Sequence, residues 1–135
     1  MDIALSLQGL GSFALYFAAA ILAEAIFVAL YMAVTPHHEL ALIKAGNTAA
    51  ALSLGGAILG FTLPLASAVI HSVSLLDMAV WSGVALIVQL VVFMAANAIL
   101  SGLSRRIEEG NVAAGVSLAV ASLSIGILNA ASMSY

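Results

Sequence analysis

Four long apolar runs, separated by a few charges and turn formers, organise the chain. Between Asp2 and Glu39 the only charge is Glu24; between Lys44 and Arg105 it is Asp77; none follows Glu109. A helix needs about 20 mostly apolar residues to cross the hydrocarbon core of a bilayer. Residues 13–34, 48–69, 80–103 and 112–132 supply them. The runs lack the alternation of a transmembrane strand, and a helix satisfies its own backbone in lipid. The pattern therefore predicts an all-α integral membrane protein with four transmembrane helices.

The connections carry suitable punctuation. Thr35-Pro36-His37-His38-Glu39 ends the first span, and Pro36 suits the first position of a short interfacial turn. Gly46-Asn47 and Gly110-Asn111 each precede a span, where a C-cap and then an N-cap are wanted. Residues 71–78 join the second span to the third.

Composition hardens this picture: 64% of the 135 residues are hydrophobic and 7% charged, whereas a soluble domain is about a quarter charged. A water-soluble globule and a disordered chain are both excluded. Nine charges with a net of −3 make no nucleic-acid surface, and the absence of cysteine removes disulfides and thiol chemistry. The start Met1-Asp2-Ile3 lacks the basic region of a cleaved signal peptide. Residues 1–135 read as one membrane domain. Lys44, Arg105 and Arg106 all lie in the first and third loops, so loops 35–47 and 103–111 are expected in the cytoplasm and both termini outside. Trp81 and Tyr135 then fall at the outer interface and Tyr31 at the inner one.

A shift of 64 residues overlays the chain on itself. Residues 43–50 (Ile-Lys-Ala-Gly-Asn-Thr-Ala-Ala) match residues 107–114 (Ile-Glu-Glu-Gly-Asn-Val-Ala-Ala), and Ser53, Leu54, Ala57 and Leu59 match Ser117, Leu118, Ala121 and Leu123. This predicts two tandem parallel two-helix repeats, one over about 11–70 and one over about 78–135. Small residues recur at four-residue spacing: Gly56 and Gly60 in span two, and Ser122, Gly126 and Ala130 in span four. Such faces let helices pack closely in lipid, either within a hairpin or between copies in a homo-oligomer.

The chain resembles the bacterial inner-membrane YjfL type, the family called domain of unknown function 350. The residues that carry the resemblance are Thr35-Pro36-His37, Asn47-Thr48-Ala49-Ala50, and Gly60 with Pro64. They continue with Ile87-Val88-Gln89-Leu90 and Phe93, then Asn111-x-Ala113-Ala114-Gly115 with Asn129-Ala130-Ala131. The resemblance spans nearly the whole chain. It implies a multi-pass inner-membrane protein of two tandem two-helix units, and no activity.

Chemistry has few candidates. Glu24 lies near the middle of span one, where a charge costs about 3 kcal/mol. It is either a proton or cation site or a hydrogen-bonded packing group. Gln89 falls at the same depth by the repeat, so a Glu24–Gln89 bond is expected across the bundle, within a protomer or between protomers. Pro64 frees the carbonyl of Gly60, and Gly60, Thr62 and Pro64 predict a kink or break. Asn97 and Asn129 are expected to bond between helices, or to line a polar path with Thr62 and Ser67. His37-His38-Glu39 reads as a solvated loop, because adjacent helical residues diverge by about 100°; Glu108 and Glu109 beside Arg105 and Arg106 also read as a solvated face. His71 and Asp77 are two scattered ligands of a weak outer site. No catalytic constellation, metal cluster or cofactor motif is present. The expected role is a non-enzymatic structural or accessory subunit. Its partners would be the lipid bilayer, further copies of itself and other membrane-associated proteins. The alternative is a small proton or cation conductor with Glu24 and Gln89 in its path.

Overall fold

The computed structural model describes residues 2–133. They form six helices: α1 (Ile3–Val34), α2 (Glu39–Lys44), α3 (Thr48–His71), α4 (Leu75–Ile99), α5 (Leu103–Glu108) and α6 (Val112–Ser132), with no strand among the described residues. Four of them, α1, α3, α4 and α6, are long and apolar enough to cross a membrane. The short helices α2 and α5 sit at one end of the bundle, and the α3–α4 turn at the other.

Helix boundaries follow the caps. Asp2 accepts the Ala4 N–H at 3.0 Å, so α1 starts ten residues before the expected span and reaches 32 residues. Ser74 accepts the Asp77 N–H at 3.1 Å and starts α4 at Leu75, ahead of the expected residue 80. Gly102, at φ 73, separates α4 from α5, so Leu103 opens a short helix instead of closing the span. Pro36 does not open one: His38 caps α2, and Pro36 lies in the link before it.

The turns into α3 and α6 are built alike. Gly46 (φ 86) donates to the Ile43 carbonyl at 2.9 Å, and Asn47 to the Leu42 carbonyl at 2.9 Å. Gly110 (φ 80) and Asn111 repeat this on Ile107 and Arg106 at 3.0 and 2.9 Å. Both glycines sit in the left-handed region, which costs a residue without Cβ nothing. Asn47 and Asn111 then cap the next helix through the N–H of Ala50 at 2.9 Å and of Ala114 at 3.2 Å.

The centre of the bundle is the parallel pair α3–α6, the most extensive helix contact. A Cβ on Gly56 would stand 2.6 Å from the Ala119 Cβ, and one on Gly115 2.8 Å from the Ala49 Cα. The Gly60 carbonyl lies over the Cα of Gly126. Hence Gly56, Gly60, Ser122 and Gly126 are spent on packing one hairpin against the other within a single chain. Ala130 joins the same seam, accepting from the Ser67 hydroxyl at 3.2 Å. α3 runs through Pro64 as one helix. Of the expected kink or break, the break does not occur, and the carbonyl that proline frees faces Gly126, where a Cα–H contact can take it up. α1 is the outlier: of its 32 residues only Phe27 and Tyr31 are buried.

Candidate functional site

Two polar groups lie at mid-bundle, and they do not meet. Glu24 Oε2 accepts from the Thr62 hydroxyl at 3.0 Å, on the α1–α3 face. Gln89 is fully buried and its Nε2 donates to the Ser122 carbonyl at 3.0 Å, on the α4–α6 face. Within the chain the two side chains do not bond to each other. Thr62 and Gly60 are two residues apart on α3, so they point to nearly opposite sides of it: Thr62 meets Glu24, and the Gln89 amide lies beside Gly60. Glu24 is half-buried, facing an apolar groove on α1 lined by Ile21, Ala25, Val28 and Met32. Its Oε1 is buried and has no hydrogen-bond partner, as is Gln89 Oε1.

The remaining intramembrane candidates stay separate. Asn97 is exposed, two turns along α4 from Gln89. Asn129 is half-buried, its Nδ2 enclosed without a partner. Ser67 bonds to Ala130 and to His71, which turns it away from Thr62. No polar path joins these four residues. Asp77 accepts the Val73 N–H at 3.1 Å, and His71 Nδ1 lies 2.9 Å from the Ser67 carbonyl on its own helix.

The loop between α1 and α2 holds what the sequence reading missed. His37 and Glu39 are 1% exposed, and so is Tyr31. The loop is folded in, not solvated. Thr35 donates to the Glu39 carboxylate, and the same hydroxyl lies 3.0 Å from the Tyr31 carbonyl; one proton serves one of them at a time. His37 Nε2 stands 3.4 Å from Glu39 Oε1. The ring leans on Phe93 of α4, centroids 6.3 Å apart. Burial holds the His37 imidazole below the usual histidine range, against the Glu39 and Glu108 charges that pull it up and with His38 adding to the lowering. Tyr31 is a core residue, not part of an interfacial belt: its ring packs on Phe27 and Phe93 at 5.6 and 5.8 Å, and its hydroxyl has no partner. The signal for this cluster was there in part. Thr35, His37 and Glu39 alternate with Pro36 and His38, as in an extended segment with one buried face. Trp81 is half-buried against the core, and Tyr135 lies outside the described residues.

Glu109 pairs with Arg105 at 3.4 Å on a highly exposed surface, as the solvated-face reading expects. Among the described residues no three His, Asp or Glu side chains gather as a metal group.

Four apolar spans, a closed centre and short connections define a multi-pass helical membrane protein. The family described as Domain of Unknown Function (DUF350) matches residues 4–133, and the chain belongs to it. It is 42% identical over 129 residues to the UPF0719 inner membrane protein YjfL of Escherichia coli strain K12, covering 96% of this chain and 98% of that one. The protein of the same name from Escherichia coli O157:H7 matches to the same extent. No solved structure matches the chain.

Proposed function

We propose that the chain is a non-enzymatic, self-associating structural or accessory subunit of the inner membrane. It is built as one domain of two tandem units, α1–α2–α3 and α4–α5–α6. Its termini and α3–α4 turn lie outside, and α2 and α5 face the cytoplasm with Lys44, Arg105 and Arg106. The two-unit reading is supported by the matching order of long, short and long helices, and by α2 and α5 falling 64 positions apart, the shift of the sequence repeat.

The observation that carries the functional reading is the closed centre. Gly60 and Gly126 bring α3 and α6 together backbone to backbone, which leaves no axial path through one chain. Almost all of α1 remains available for association. The test is the mass of the full chain in nanodiscs over a range of loading, together with proton and potassium flux into liposomes. Assemblies larger than one chain, with flux equal to empty liposomes, are expected. A monomer at every loading overturns the self-association, and specific flux overturns the structural role.

One observation favours a second reading as a proton or cation conductor: the buried, unbonded Oε1 of Glu24. Under it, flux exceeds that of empty liposomes and falls in Glu24→Gln.

A further inference from the structure

The segment that joins α1 to α2 turns its polar side chains inward. Thr35, His37 and Glu39 are buried, and Pro36, His38 and Leu40 between and after them are exposed. The segment is thus a single layer laid over the end of the core. It hangs between two points where the chain is not helical. Thr35 leaves α1 in an extended conformation, and Gly46 follows α2 in the left-handed region at φ 86. No side chain caps α2 at His38. Residues 35–44 can therefore turn outward without unwinding α1 or α3.

Inside, His37 is held by packing and not by hydrogen bonds. Its ring lies 6.3 Å from that of Phe93, and neither nitrogen has a partner. Nε2 stands 3.4 Å from Glu39 Oε1, an oxygen that already takes the Thr35 hydroxyl. Protonation makes both ring nitrogens donors. Nε2–H can turn to Glu39, but Nδ1–H has no acceptor, whereas water satisfies both. The charges that act on the ring are Glu39 on α2 and Glu108 on α5, which favour the imidazolium, and His38, which opposes it. Lys44, Arg105, Arg106 and Glu109, the other charges at this end, are exposed. The ends of α1, α3, α4 and α6 that face the segment carry no charge; α1 contributes Tyr31 and α4 Phe93. Burial outweighs the two carboxylates and holds the imidazole below the usual histidine range.

We propose that residues 35–44 form a pH-operated flap: with His37 neutral it stays folded in on Phe93, and when His37 takes up a proton it swings into water and uncovers Tyr31 and Phe93 while the four long helices stay packed. The closed form resists a proton that the open form accepts at the ordinary histidine value of about 6.5. Above that pH the open-to-closed ratio is constant. Below it the ratio rises by up to about tenfold per pH unit, until the closed form protonates too. The shift of 64 residues puts Ser101 and Leu103 in the places of His37 and Glu39, so the corresponding connection before α5 has no such device. The flap works with or without self-association; with α2 in the cytoplasm, as proposed above, it reads cytoplasmic pH.

The test is hydroxyl-radical footprinting of the full chain in nanodiscs between pH 8 and 5, read residue by residue by mass spectrometry. Tyr31 and Phe93, 1 and 3% exposed, report the flap; Leu103 and Phe61, both fully buried, report the other connection and the centre of the bundle. Oxidation of Tyr31 and Phe93 is expected to rise by up to about tenfold per pH unit below about 6.5, to reverse on return to pH 8, and to leave Leu103 and Phe61 unchanged. His37→Phe and His37→Asn are expected to give flat profiles, and His38→Asn to keep the rise. One His37 variant keeps a ring against Phe93 and the other a polar group, so if one folds poorly the other decides. A flat wild-type profile, or a rise that persists in the His37 variants, overturns the flap. So does oxidation of Phe61 in step with Tyr31, because the whole chain is then opening.

Discussion

Replacing Gly126 with alanine tests whether the α3–α6 seam is as tight as it looks. The added Cβ would stand 2.7 Å from the Gly60 Cα and 2.8 Å from its carbonyl carbon. Those are backbone atoms and cannot swing aside, so α6 must move away by about 1 Å to restore ordinary contact. Overpacking of this kind costs about 1–3 kcal/mol. The Cα–H contact with the freed Gly60 carbonyl adds about 0.5–1 kcal/mol. The neighbouring Gln89–Ser122 bond, 3.0 Å long, stretches with it and is worth about 0.6 kcal/mol in a membrane. A loss of about 2–4 kcal/mol follows, a shift of about thirty- to nine-hundredfold in the unfolding equilibrium. The assay is reversible SDS unfolding in mixed micelles. Gly55→Ala is the control: it lies on α3 beside the seam, yet a Cβ there meets nothing within 4 Å. It should be neutral or gain up to about 1 kcal/mol from helix propensity. If both variants unfold alike, the close seam is refuted, and with it the closed centre.

Three further outcomes follow from the same geometry. Asn47→Ala should cost about 1 kcal/mol more than Asn111→Ala in the same unfolding assay: both lose a cap, but only Asn47 also donates to the Ile107 carbonyl, at 2.8 Å. Stability of the wild type should fall as pH drops through about 6.5, because the unfolded chain takes up a proton there that the buried His37 resists; melting between pH 8 and 5 should show the slope flattening in His37→Phe. Thr62→Val should leave both Glu24 oxygens unbonded and destabilise by about 1 kcal/mol, and rescue of that loss by Glu24→Leu in a double-mutant cycle would establish the pair.

The apolar runs were legible because lipid imposes a strong rule: a backbone that crosses it must be helical, and its side chains must be apolar. The ends were less so. Nothing in Ile3, Leu5 or Leu7 marks where the helix starts, and Asp2 and Ser74 extended helices that charge spacing alone cut short. Gly56, Gly60 and Gly126 announced close packing, but small residues do not say which helix they meet. The answer was α3 on α6, between the hairpins. Glu24 and Gln89 stand at one level of the bundle, beside Thr62 and Gly60, and do not meet within the chain, since position along a helix does not fix the direction a side chain faces. The His37–Glu39 loop failed for another reason: a run of polar residues is read as solvated, and only the fold reveals that two of them point inward beneath Phe93.

The two proposed units are unequal in an ordered way. The shift of 64 carries Glu24 onto Val88, Thr62 onto Gly126, His37 onto Ser101 and Glu39 onto Leu103. Leu103 is fully buried at the start of α5, and Glu39 is 1% exposed at the start of α2; one unit fills the position with a hydrocarbon and the other with a carboxyl. The buried histidine and its carboxyl partner therefore belong to the first unit, as does the mid-bundle carboxyl Glu24, and so does the helix left uncovered. The second unit supplies Gly115, Ser122 and Gly126, which close the centre. An apolar leucine in the place of Glu39 would be the cheaper choice for stability alone, because a buried carboxyl costs unless its bonds are complete. Retaining it beside a histidine with two unbonded nitrogens concentrates the polar cost in the unit that also presents α1. With α3 and α6 sharing the packed centre, it is α1 and the loop after it, an uncovered helix followed by a buried histidine and carboxyl, where a functional lesion should be sought before a folding one.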